Sequence, residues 1–166
     1  MGSYLFQDWS ANRGNIKGRI ITSAFRLAYF VRQMKFPIWL IGIPILVSYR
    51  ICVEWILGVE LPFKTKVGRG LIIQHGQGLV INDATIIGQN CTLRNNCTIG
   101  IKVDSRGNKS NAPTLGNNVN LGAHVIIIGP VNIGDNVIIG AGAVVVKDVP
   151  SNSVAAGNPA RVLRKL

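Results

Sequence analysis

The chain has 166 residues, long enough for one ordinary domain with its own core. Eighteen lysines and arginines against seven acidic residues give a net charge of +11, which points to an anionic partner such as a phosphorylated ligand or a membrane surface. Nucleic acid is excluded as that partner, because neither a known binding motif nor a basic stripe with interleaved aromatics is present.

Residues 1–15 are polar and read as loose. From Lys17 to Leu57 the texture is helical. Ile20, Ala24, Leu27, Ala28 and Val31 recur at three and four, which fits one amphipathic helix with Arg19, Arg26 and Arg32 towards its other side. The run from Phe36 to Tyr49 is uncharged. A spanning helix needs about twenty apolar residues; this run is shorter, carries Pro37 and Pro44, and is followed by Arg50 and Glu54. It reads as a buried or interfacial element, packed in the core, against another subunit, or on a membrane surface, where Trp39, Tyr49 and Trp55 beside basic residues are suited to lie.

Pro62 ends the helical region and a six-residue beat begins. Ile81, Ile87, Leu93 and Ile99 are spaced by six; after a break, so are Leu115, Leu121, Ile127, Ile133, Ile139 and Val145. A small or branched residue follows four places later, at Thr85, Cys91, Cys97, Val119, Val125, Val131, Val137, Ala143 and Val149. Six fits neither a helix nor a hairpin; it fits a prism of short parallel strands, three repeats per coil, with both kinds of residue inward. The glycines directly after the beat, such as Gly88, Gly116, Gly122, Gly134 and Gly140, are expected at corners whose backbone angles penalise a side chain.

Two intervals break the rhythm. Val67 to Ile81 holds two residues more than two repeats, placed around Gln74 to Gly78, so a corner is remodelled there. Ile99 to Leu115 holds ten more than one repeat; the polar insertion, Lys102 to Pro113, should project as an arm. After Pro150 the beat stops, and Val154 to Arg161 reads as a tail that caps the last coil.

Cys91 and Cys97 fall at inward positions and read as small core residues. An odd count of three cysteines, with no signal-peptide pattern, argues for a reducing, cytoplasmic setting. Of two histidines, His124 sits at a regular position and reads as a surface residue. His75 stands in the remodelled corner between small neighbours, which leaves its ring open to a ligand. Histidine is the residue type that titrates near neutrality, as activation of a hydroxyl requires. Glu60, fifteen residues upstream and close to one coil away, is placed to lie beside or beneath it as the orienting acceptor; its plainer reading is an exposed acid at the helix–prism junction. No Gly-x-Ser-x-Gly motif is present, nor a Cys beside a basic residue. The prism-shaped carbonic anhydrases bind zinc with three histidines, one more than this chain has, so no metal is expected.

The stretch Ile133 to Pro150, followed by Val154-Ala-Ala-Gly-Asn-Pro-Ala-Arg-Val162, resembles the C-terminal half of the hexapeptide-repeat acyltransferases, and the likeness covers roughly residues 58–163. It implies a mainly β fold: a left-handed parallel β-helix of hexapeptide repeats over 59–150 with a protruding loop at 101–114, a short α-helical, apolar N-terminal region over 1–58, and a C-terminal tail over 151–166. It also implies a homotrimer with active sites between subunits and acetyl-coenzyme A as donor. By match, Gly122, Ala123, Gly140 and Ala141 would lie against the pantetheine, and Lys147 and Arg161 would meet the phosphates.

Within that family, Val67-Gly-Arg-Gly-Leu-Ile-Ile-Gln-His75 is similar to the serine acetyltransferases, whose orienting acid stands where Glu60 does. It is also similar to the colanic-acid and capsule acetyltransferases, short chains with an apolar N-terminus ending in an element like Tyr49-Arg-Ile51. The serine enzymes carry an Arg-His pair where this chain has Asn111-Ala112 before Pro113, and an acid where it has Gln74. Losing that cation removes a charge-assisted contact worth ~1.5–3 kcal/mol to a carboxylate. The expectation is therefore O-acetylation of a saccharide hydroxyl, on a nucleotide- or lipid-linked precursor, with Gln74, Asn95, Asn96 and Asn111 meeting the acceptor and a peripheral membrane contact for the N-terminus. For Asn95 and Asn96 plain turn formation is the more common role. Serine O-acetylation and a non-catalytic scaffold are the alternatives.

Overall fold

The computed structural model describes residues 2–35 and 37–166, the side chains at 2, 3, 38 and 39 excepted. Phe36 and the Trp39 side chain, both named in the apolar run, lie outside the described residues. The N-terminal part holds helices α1 (Gly2–Leu5), α2 (Ile16–Arg32), α3 (Ile38–Ile41) and α4 (Ile43–Tyr49), the last continued by a π-helical segment, Arg50–Ile56. Short strands follow: β1 (Val59–Glu60), β2 (Lys66–Val67), β3 (Ile72–Gln74), β4 (Leu79–Ile81), β5 (Ile86–Ile87), β6 (Thr92–Arg94), β7 (Thr98–Gly100), β8 (Thr114–Leu115), β9 (Asn120–Leu121), β10 (Ile126–Ile128), β11 (Asn132–Ile133), β12 (Ile138–Ile139), β13 (Val144–Val145), β14 (Ser153–Gly157) and β15 (Ala160–Lys165).

They stack as three sheets around one axis: β1-β4-β7-β10-β13, β2-β5-β8-β11, and β3-β6-β9-β12-β14-β15. Every pairing is parallel except β14 with β15. This is the parallel β-solenoid that the six-residue beat predicts. Its regular coil is eighteen residues, as Ile126 pairing with Val144 shows. The first coil takes twenty, Ile72 pairing with Thr92; the arm lengthens another to twenty-eight, Thr98 pairing with Ile126. Both interruptions therefore fall where the spacing puts them. The beat residues from Ile81 to Val145, Cys91 and Cys97 among their followers, form one buried column. Burial pushes the Cys91 thiol up to about 11 and raises that of Cys97.

The corner glycines need a different explanation from the one expected. Gly88, Gly116, Gly122, Gly134 and Gly140 are absent from the positive-φ positions. A Cβ on Gly122 would lie 2.4 Å from the Ala141 nitrogen, and one on Gly88 would meet the Gly116 carbonyl of the next coil. These positions are small because adjacent coils touch backbone to backbone. The left-handed residues come two places later, and most are asparagine, which tolerates that region. Asn90, Asn118, Asn136 and Asn152, with φ of 56–57°, stack as a ladder in which each side-chain amide donates to the next Oδ1 at 2.8–3.3 Å.

Residues 1–15 are not loose. Asp8 and Asn12 are buried, and Asn15 caps α2, its side chain accepting from Gly18 N at 2.9 Å. The first coil has no strand before it, so its backbone groups need other partners. Asp8 Oδ1 accepts from Gly70 N and Leu71 N at 2.7 and 3.0 Å; Asn12 Nδ2 donates to Leu71 O at 2.7 Å and Asn15 Nδ2 to Ile73 O at 2.8 Å. Nor does Arg26 lie on the solvent side of α2. Its side chain is 2% exposed, pairs with Asp8 at 2.8 Å, and donates to the carbonyls of Val67 and Gly68. Ile20, read as inward, is exposed, while Ile21 and Phe25 are buried. The polar needs of the coil edge rotate the helix by about one residue from its apolar stripe.

The apolar run is not core either. Of its described residues Gly42 and Tyr49 are buried, whereas Ile41, Ile43, Ile45 and Val47 face solvent. Tyr49 O–H donates to Leu61 O at 2.6 Å and ties the helices to the first coil. Among the described residues no helix is long and apolar enough to cross a membrane. At the other end β14 joins β12, and β15 folds back antiparallel along its edge through a cis Asn158–Pro159 peptide.

Candidate active site

The remodelled corner is the left-handed turn between β3 and β4. His75, Gly76 and Gly78 all have positive φ, 64–67°. From Gln74 to Val80 takes six residues, whereas their partners Arg94 and Thr98 are four apart. The two extra residues push His75 outward, and its side chain is exposed. Gly76 is small for a packing reason: a Cβ there would come within 2.9 Å of Ile73 Cγ2 and 3.3 Å of Val59 Cγ2.

This corner heads a ridge running down the prism. Asn96 N donates to Gln77 O at 2.8 Å, His124 N to Asn95 O at 3.1 Å, and Gly142 N to Ala123 O at 2.9 Å. His75, Asn95, Asn96, Ala123 and Ala141 thus share one edge, at the N-terminal ends of the strands β4, β7, β10 and β13, with Gly122 and Gly140 beside it. Asn96 has φ 56°, so the turn-forming role holds for it. The ridge also carries His124, read from sequence as an ordinary surface residue. Its Nε2 lies 3.3 Å from Asn96 Nδ2. The signal available in the sequence was its position, two residues after Gly122, where the next coil has Gly142. Arg94, also passed over, donates to Leu121 O at 2.6 Å and to Asn120 Oδ1 beside the ridge.

Low on the prism the ridge suits a slender chain. Ala141 and Gly142 are exposed, and a Cβ on Gly142 would meet nothing within 4 Å. Bare backbone leaves the surface open there, at the place where the resemblance expects the pantetheine of the donor.

Glu60 lies in β1 with its side chain exposed, in register with Val80. Its strand and the His75 corner are joined, Gly78 N donating to Gly58 O at 2.8 Å. The two side chains are not: among the described residues the ion pairs within 4 Å are Arg26–Asp8 and Arg50–Glu54. Glu60 instead lines a cleft of about 650 Å³ between the π-helical segment and the sheet, with Glu54, Trp55, Phe63, Asn82 and Asp83. Burial pushes the Glu54 carboxyl up; Arg50 opposes that shift and Glu60 adds to it.

Gln74 is half-buried beside the corner. Two further residues stand away from the ridge within one chain. The arm leaves from the C-terminal end of β7, the opposite edge of the sheet, and carries Asn111 there; Lys147 follows β13 on that same edge. Arg161 lies in β15 opposite Ala156, which follows Gly140 in the next coil, so its backbone is at the foot of the ridge. The arm is a small hairpin in which Asp104 Oδ1 accepts from the backbone N–H of Arg106 and Asn108, each at 2.8 Å. A bond from the Asn108 amide, together with those from the backbone, holds the Asp104 carboxyl below the usual range.

Residues 112–147 match the family described as bacterial transferase hexapeptide (six repeats), and 84–105 match the hexapeptide repeat of succinyl-transferase. Over 164 residues the chain is 38% identical to the putative colanic acid biosynthesis acetyltransferase WcaB of Escherichia coli (strain K12), covering 95% of this chain and 98% of that protein. It is also 38% identical over 138 residues to the serine acetyltransferase of Synechococcus elongatus, covering 83% of this chain; it spans about half of that protein, 53%. The soybean serine acetyltransferase apoenzyme is similar in structure, with a TM-score of 0.79 and 28% identity over 97% of this chain and 68% of that one.

Proposed function

The chain belongs to the hexapeptide-repeat acyltransferases, and we propose that it moves an acetyl group from acetyl-coenzyme A directly to a hydroxyl of a saccharide. The observation that carries the acceptor class is the extent of the WcaB match, which runs nearly end to end through the apolar N-terminal segment. The serine reading keeps its own support: the Synechococcus enzyme is equally identical over its shorter match, and the soybean enzyme is similar in structure. Against it stand Asn111 and Ala112 where the resemblance expects a cation for the amino-acid carboxylate.

In this reading His75 Nε2 takes the proton of the acceptor hydroxyl as its oxygen attacks the thioester carbonyl. The carbon–sulfur bond then breaks, and the proton passes to the departing thiolate. Glu60 holds the Nδ1–H of His75 and stabilises the imidazolium, a role that needs the two side chains to close on each other when substrate binds. A backbone N–H of the corner offers the oxyanion its hydrogen bond. The bare ridge around Ala123, Ala141 and Gly142 supports placement of the donor, with Lys147 and Arg161 for its phosphates. Lys147 and Asn111 stand off the ridge within one chain, which favours a trimer: the ridge of one subunit faces the arm edge of the next, and the site lies between them. The exposed apolar helices and the charge of +11 fit a peripheral contact with the cytoplasmic face of a membrane.

The test is thiol release from acetyl-coenzyme A by the full chain, with L-serine in one arm and a panel of nucleotide-linked and lipid-linked saccharides in the other. Saccharide-dependent release is expected. Rapid release with serine overturns the saccharide reading.

A further inference from the structure

Three cations without acidic partners converge beside the Glu60 cleft. Arg32, at the end of α2, and Lys64 and Lys66, on either side of the turn into β2, line a second depression of about 300 Å³ with Tyr29, Gln33 and Phe63. Among the described residues none of the three has a carboxylate within 4 Å; the nearby Arg50 differs, being paired with Glu54 at 3.8 Å and lying over the Phe63 ring. Like charges held together repel one another until an anion neutralises them, and Arg and Lys on a concave surface are the groups that hold phosphate.

The two depressions are neighbours, with Phe63 and Lys64 in the lining of both. On the far side of Phe63 the chemistry changes. There the Trp55 ring is 78% exposed beside Glu60, Asn82 and Asp83. An open aromatic face takes the C–H side of a sugar ring, and the carboxylates and amide accept or donate to its hydroxyls. A sugar group and a phosphate group would therefore be bound on either side of Phe63.

Building on the saccharide reading above, we propose that the acceptor is a glycosyl diphosphate: Arg32, Lys64 and Lys66 hold the diphosphate while the sugar lies against Trp55 with hydroxyls toward Asn82 and Asp83. The diphosphate group is common to nucleotide-linked and polyprenyl-linked sugars.

The probe is inorganic pyrophosphate, titrated calorimetrically into the full chain and into Lys64→Gln/Lys66→Gln. Both lysines are exposed, so the variant should fold, which circular dichroism checks. Binding should weaken about tenfold or more in the variant, the size of one lost charge-assisted contact, and should weaken with salt in the wild type. Unchanged affinity, or no binding to the wild type, overturns the phosphate site and leaves the saccharide reading to its own assay. Pyrophosphate binding through the lysines together with serine-dependent thiol release overturns the acceptor assignment while the phosphate site stands. Competition by uridine diphosphate and by farnesyl diphosphate separates the sources: the better competitor names the carrier, and equal competition means the phosphates alone are read.

Discussion

Asp8→Asn removes one charge from the buried pair with Arg26 and changes almost nothing else in shape. The Oδ1 of asparagine still accepts from Gly70 N and Leu71 N, but its amide now faces the Arg26 guanidinium, donor against donor. Both side chains of the pair are at most 2% exposed, so solvent does not relieve the stranded cation. Removing one partner of such a pair costs about 3–5 kcal/mol. For a chain of this length each kcal/mol lowers the melting midpoint by about 2–4 °C, so a drop of about 6–20 °C is expected. It is read by calorimetry at one fixed chain concentration, since assembly shifts the midpoint. Arg26→Met should also destabilise, because the carbonyls of Val67 and Gly68 lose their donors. The double variant should cost less than the two singles added, by ~1 kcal/mol or more, because neither strands a charge. A midpoint for Asp8→Asn within about 2 °C of wild type, or strictly additive costs, would refute the view that this pair clamps the N-terminal segment to the first coil.

Three further outcomes are expected. His75→Ala should lower turnover about 10²–10⁴-fold with acetyl-coenzyme A binding retained, whereas full activity in that variant rules out the general-base assignment. An excess of a thiol reagent at pH 8 should modify exposed Cys52 alone in the native chain: Cys91 and Cys97 are buried, and a Cys91 thiol that titrates at about 11 is almost wholly protonated there. Gly122→Ala should cost about 1–3 kcal/mol through collision with the Ala141 backbone, and Gly142→Ala about 1–2 through backbone strain alone, since its Cβ meets open space. Equal melting midpoints for Gly122→Ala and wild type would count against backbone-to-backbone stacking of the coils.

The solenoid was legible because its signal is a period, and a period survives local error. Ile81 to Val145 had to be inward whatever the corners did, and the two interruptions announced themselves as miscounts. The corners were read less well. Glycine has two reasons to exist, backbone freedom and close approach, and Gly122 illustrates the second while Asn96 occupies the place expected for the first. The N-terminal third was read least well. Its hydrophobic stripe suggested a helix packed by apolar contact, but Asp8, Asn12, Asn15 and Arg26 follow the unpaired N–H and C=O groups of a coil edge, which leave no period in the sequence. The Glu60 cleft was hidden for a similar reason: Trp55, Phe63 and Asn82 meet only because the π-helical segment crosses the first sheet.

That cap explains where the irregular corner can exist. Inside the stack the arm shows that an insertion is accommodated when it leaves the coil altogether; a turn that absorbs two additional residues within the coil changes a path that a neighbour on either side would have to match. The first coil has a strand on one side only. On the other, Asp8, Asn12, Asn15 and Arg26 bind the backbone from Val67 to Ile73, the seven residues that lead to Gln74 and His75. Side chains tolerate a mismatch that a ladder does not, because each reaches its partner independently. The first coil can therefore carry a bulged, left-handed turn that projects a histidine, while β3 just before it stays rigid through its pairing with β6. Fixing one side by a strand and the other by a polar clamp supplies what the proposed general base would require: freedom from the repeat and a fixed position.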